Sequence, residues 1–184
     1  MPKTNFIERL FALSSKDRRL LMFRKLLVCA VFSASVAAEN VPINGTVEGN
    51  CIVVPDTSGV YGNPSADVLS TAATDGGVLP VVRYDVVLAD YYKAVITTPT
   101  SFSQSPGLAD TVAWTGSAAV HEVSDAGMSA YDTNKIEYNA TTEFDLTIAG
   151  STWFEMESKA EYGGDKPFPG GNYTAMVEAN CIAK

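Results

Sequence analysis

The chain has 184 residues, with 13 basic and 21 acidic side chains, one histidine and a formal charge of −8. An acidic balance of this kind repels nucleic acid and anionic lipid surfaces, which excludes both as partners. The three cysteines and one histidine are sparse material for a soft-ligand metal centre.

Residues 22–38, MFRKLLVCAVFSASVAA, carry a short basic start, an apolar centre and a run of small residues, the three parts of a secretory signal. The apolar centre is about a dozen residues long, short of the roughly twenty that span a bilayer, so it reads as a cleaved signal and not as a membrane insertion. Cleavage falls after Ala37 or Ala38, where Ser35 with Ala37 or Val36 with Ala38 supplies the small pair before the cut. Residues 1–21 precede this signal; either translation begins at Met22, or they form a basic leader removed with the rest. Val28 before Cys29 argues against a lipid anchor on that cysteine. The expectation is a leader over 1–38 and one exported domain over 39–184, long enough to bury a core. That domain keeps six basic and 19 acidic residues, a formal charge of −13.

Two cysteines remain in it, Cys51 and Cys181. An oxidising compartment favours their pairing, which would close a loop of about 130 residues and stabilise the fold by roughly 4–5 kcal/mol in the chain-entropy model. The alternative is two free buried thiols.

In chain order, residues 45–54 alternate with Val47, Cys51 and Val53 on one face, and the strand ends at the turn formers of 55–59. Residues 62–77 are small and polar and read as a long surface connection. Residues 78–88 hold the β-branched run of a half-buried strand, and 92–98 its neighbour. The pattern breaks over 101–107 and resumes over 110–116, with Val112 and Trp114 on one side. Further strands are predicted at 118–123, 135–139, 142–148 and 151–158. The last strand, 173–181, turns Tyr173, Ala175, Val177, Ala179 and Cys181 inward, so both cysteines point into one core. No segment after the leader sustains helical spacing, and seven or more short strands predict an all-β, immunoglobulin-like two-sheet sandwich.

Chemistry is sparse. His121 lies at an exposed or edge strand position with no nucleophile-elbow motif near any serine, so no triad assembles and no enzyme is expected. Glu155 with Glu157, and Glu143 with Asp145, are spaced as carboxylate pairs, but alternation against Phe154 and Met156 makes the first pair a solvated strand face; a calcium site is the lesser reading. Neither metal nor cofactor is expected. Trp114, Trp153, Tyr84, Tyr91, Tyr92 and Tyr173 serve core packing or, alternatively, line a sugar-binding platform. Asn44, Asn139 and Asn172 each open an N-x-Thr glycosylation pattern.

INGTVEGNC over 43–51 and PFPGGNYTAMVEANC over 167–181 resemble the early glycine-led strand and the terminal Gly-Asn-Tyr strand of chaperone-usher fimbrial subunits and spore-coat-U-like secreted pilus proteins. The resemblance implies a sandwich lacking one strand. A periplasmic chaperone would complete it first, and after passage through an outer-membrane usher the extension of a neighbouring copy or related subunit would do so, with Val41, Ile43 and Val47 as donor residues. The expected function is a structural subunit of a bacterial surface fibre; the alternative is a self-contained secreted binding module, with a glycan as ligand.

Overall fold

A computed structural model describes residues 50–184, which fall within one compact unit. Two antiparallel sheets form the fold. The larger carries β1 (Cys51–Thr57), β4 (Val81–Val86), β10 (Gly150–Tyr162), β3 (Val68–Ser70) and β2 (Gly62–Ser65) in that order, with β7 (Val112–Val123) along the other side of β10. The smaller runs β12 (Glu178–Ala183), β5 (Tyr92–Thr97), β9 (Thr141–Leu146), β8 (Ile136–Tyr138). A short ribbon pairs β6 (Phe102–Gln104) with β11 (Thr174–Ala175).

The core follows from period-two alternation. Tyr92, Ala94 and Ile96 of β5 and Thr142, Phe144 and Leu146 of β9 turn inward, and from the opposite sheet Val82, Tyr84, Val86, Phe154 and Met156 meet them. Tyr84 and Phe154 meet edge to face at 5.5 Å, and Phe144 lies 4.3 Å from Phe154, so aromatic rings join the two layers at their centre. This is the all-β sandwich that the alternation predicts.

Several local expectations are corrected. β1 does not stop at Pro55 but continues to Thr57 with a register shift between Pro55 and Thr57; proline is tolerated because β1 is an edge strand, where a missing N–H donor costs little. Residues 62–77 are a surface connection only in part: residues 63–66, 73, 74 and 76 are exposed, but β3 is buried, and Ser70 and Thr71 lie inside the protein. Their polarity is met internally, because the Thr71 hydroxyl accepts from the Ser158 amide at 2.9 Å and the Ser70 hydroxyl accepts from the Ala72 amide at 3.1 Å. Gly62 lets this segment close, since a Cβ there would stand 2.1 Å from the Asp75 carbonyl oxygen. The predicted strands at 110–116 and 118–123 are one strand, β7, because Gly116 is a point of close approach and not a turn.

Residues 124–134, where no element is predicted, fold into a 3₁₀ segment (Ala126–Ala130) and one helical turn, α1 (Tyr131–Asn134), that bury Met128 and Tyr131. The Asp125 side chain caps the segment by accepting from the Gly127 amide at 2.8 Å. Tyr131 accepts from the Ile148 amide at 3.0 Å, which ties the turn to the end of β9. The last strand is also divided: Tyr173 to Cys181 keep the predicted alternation of exposure, but β11 pairs with β6, β12 pairs with β5, and Met176 and Val177 lie between them in neither ladder.

Candidate functional site

The first and last strands are edges of different sheets, and Cys51 and Cys181 join them by a disulfide with a Cα–Cα distance of 6.3 Å and 130 residues between the two positions. Beside this staple the Tyr84 hydroxyl donates to the Asn180 carbonyl at 3.2 Å, a second tie between the sheets. Burial pushes the Tyr84 phenol well above its usual range, so it remains a protonated donor.

Away from the staple the two chain ends diverge and a groove of about 520 Å³ opens between them. One wall is Gly59, Val60 and Tyr61, following β1; the other is the segment from Gly171 to Val177, preceding β12. Leu69, Thr71, Pro80, Pro99 and Ser158 complete the lining. Val60 and Met176, at 54 % and 68 % exposed, are among the most exposed large apolar side chains. Tyr61 is half-buried and shares a hydrogen bond of 3.0 Å with the Ser158 hydroxyl, while burial raises its pKa. Met176 and Val177 make no backbone hydrogen bond to another described residue. The groove therefore combines apolar side chains with backbone groups that have no partner among the described residues, which is what an added extended strand satisfies.

The sequence-predicted residues divide around this groove. Tyr173, Ala175 and Val177 line it, Val177 also touching the core, and Ala179 and Cys181 pack against the core on β12. Val41, Ile43 and Val47, the donor residues implied by the resemblance, and Asn44 lie outside the described residues. Sequence reasoning missed Val60, Tyr61 and Leu69: they sit among glycines and polar residues with no periodicity, and only the folding of β2 and β3 brings them opposite the terminal segment.

The carboxylate pairs do not converge on one centre. Glu155 faces His121, with Oε2 2.8 Å from Nδ1, on an exposed strand surface. Glu143 accepts from Lys93 Nζ at 2.7 Å and from the Tyr138 hydroxyl at 2.9 Å; these bonds hold its carboxyl below the ordinary value, the lysine bond most strongly. Asp145 stands 3.3 Å from Lys184 Nζ. Among the described residues, no group of three or more His, Cys, Asp or Glu side chains is placed to hold a metal.

The aromatic residues separate as well. Tyr84 and Tyr92 are core, Tyr91 is 51 % exposed, and Trp153 lies beneath the Arg83 guanidinium at 5.8 Å. Phe102 is the hub of a second cluster, with Trp114 at 4.7 Å, Tyr173 at 5.0 Å, Phe168 at 6.0 Å and Tyr61 at 6.3 Å. No helix among the described residues is long and apolar enough to cross a membrane. Comparison with protein families, with curated proteins and with solved structures finds no match in any of the three.

Proposed function

We propose that the protein is a structural subunit of a bacterial surface fibre, exported by means of its N-terminal segment and assembled by strand donation between copies. The observation that carries this reading is the groove between the segment after β1 and the segment before β12, with exposed Val60 and Met176 on opposite walls and, among the described residues, no backbone partner for Met176 and Val177. An extended strand rises about 3.3 Å per residue, so the wall from Gly171 to Val177, of which Thr174 and Ala175 already pair with β6 on one side, has a length of about 20 Å for a neighbour's chain. The alternating residues Val41, Ile43 and Val47 directly precede β1 and have the period that such a groove requires.

Donation from one copy into the groove of the next is a heterologous contact, which propagates as a fibre when it does not close. In this reading a periplasmic chaperone fills the groove before an outer-membrane usher delivers the subunit. The inter-sheet disulfide keeps the two groove walls in register, and its presence fits an oxidising compartment.

The test is the solution mass of the protein recovered from the periplasm, with and without deletion of residues 39–44. Concentration-dependent polymers that disappear on deletion are the expected result. A stable monomer in both forms refutes strand donation and leaves the self-contained binding module.

A further inference from the structure

We propose that Trp114 is the stacking platform of a binding site for a neutral saccharide. The indole lies on β7 where two clefts meet, one of about 440 Å³ and the other of about 350 Å³. Both volumes fall in the range of about 300–1,000 Å³ typical of small-molecule sites. Trp114 and Thr100 line both clefts, so the two adjoin at the ring.

The walls have a particular chemistry. Around Trp114 stand the hydroxyls of Thr98, Thr100, Thr111 and Thr115 and the amide of Asn139, and among the described residues no charged side chain lines either cleft. The Thr98 hydroxyl is already used, donating to the Ala140 carbonyl at 3.1 Å. Those of Thr100 and Thr115, the Asn139 amide and the Trp114 indole N–H make no hydrogen bond to another described residue. They form a rim that can both donate and accept.

The ring itself is braced. Phe102 meets Trp114 edge to face at 4.7 Å and 62°, and Phe102 is in turn contacted by Tyr61, Phe168 and Tyr173. A platform fixed in this way loses little side-chain freedom when a ligand stacks on it. Gly116 shapes the floor, because a Cβ there would stand 2.5 Å from Thr98 Oγ1, so only glycine lets β7 lie this close to the end of β5. Asn139 holds a φ of 52° at the tip of the β8–β9 hairpin, a backbone conformation that asparagine tolerates better than most residues.

A pyranose ring matches this arrangement. Its C–H face stacks on an aromatic ring while its hydroxyls require donors and acceptors around the edge. Absence of a cation among the described residues of either wall disfavours uronic and sialic acids, and the acidic charge of residues 39–184 repels them further. The inference does not rest on the fibre reading, since Trp114 and both clefts lie in the described domain of a single chain.

The test is intrinsic tryptophan fluorescence and saturation-transfer NMR on the full chain, titrated with glucose, galactose, N-acetylglucosamine and their short neutral oligosaccharides, alongside galacturonic acid and sialyllactose. The expected result is saturable binding of at least one neutral sugar with a Kd of about millimolar or tighter. Trp114→Ala should weaken it at least about tenfold, and Trp153→Ala should leave it unchanged. Asn139→Gly keeps the left-handed backbone while removing the amide, so it should weaken binding without unfolding the protein, and it decides the matter if Trp114→Ala fails to fold. No binding of any neutral sugar at roughly 20 mM, tighter binding of the acidic sugars, or undiminished binding by folded Trp114→Ala or Asn139→Gly overturns the proposal.

Discussion

Tyr84 shows how much a single side chain does in a thin sandwich. Its ring is fully buried against Phe154, and its hydroxyl reaches the backbone of the last strand at Asn180. Tyr84→Phe keeps the packing and removes one hydrogen bond, so it should cost about 1 kcal/mol in urea unfolding, whereas Phe154→Ala, which empties the centre of the core, should cost about 3–5 kcal/mol. Glu143 makes a pH prediction. Its carboxyl is held below 4.5 first by the Lys93 bond and then by Tyr138, so its contribution is complete above that value and is lost as pH falls through the lower folded pKa. Lys93 is shifted upward, chiefly by the same bond, so its part is present below 10.5 and fades as pH rises through the higher folded value. Thermal melts between about pH 2 and 7 should therefore show a smaller acid-side loss for Glu143→Gln than for the parent protein. The inward set of β10, Phe154 and Met156 against Trp153 and Glu155, was legible from alternation alone. Met128 was not: it is fully buried in a non-periodic segment, where Thr152 Oγ1 donates to its sulfur at 3.2 Å.

Among the elements, the outer edge of β7 is guarded by the turn that sequence reasoning missed. The Asp132 carboxylate accepts from the Val120 amide at 3.0 and 3.2 Å, and Lys135 Nζ donates to the Ala118 carbonyl at 2.9 Å. Side chains thus occupy the backbone groups that another strand would seek. Asp132→Ala leaves the Val120 amide without its partner and should cost about 1–2 kcal/mol in thermal or chemical unfolding. The same variant should scatter more light during heating, because the edge is opened. Strands with plain alternation, β5, β9 and β10, could be read closely from sequence. The 62–77 segment could not, because Ser70 and Thr71 are polar by composition and buried only through hydrogen bonds to β10 and the following turn.

At the scale of the whole domain, the decisive feature is that the first and last strands of the described residues, edges of different sheets, are stapled at one point and open beyond it. Replacing both cysteines with serine removes a constraint over 130 residues and should destabilise the protein by roughly 4–5 kcal/mol, seen as a lower denaturant midpoint. The sequence by itself determined the β-rich class, the inward faces of the main strands and the shared core direction of Cys51 and Cys181, because alternation along a strand is a local property of the backbone. Tertiary structure alone decided that Val60 and Tyr61 face the Gly171 to Val177 segment, and that Trp114 is braced by Phe102 beside Thr100 and Asn139. These juxtapositions join residues tens of positions apart and depend on which strand pairs with which, a choice made by packing of the whole core and not by any local pattern.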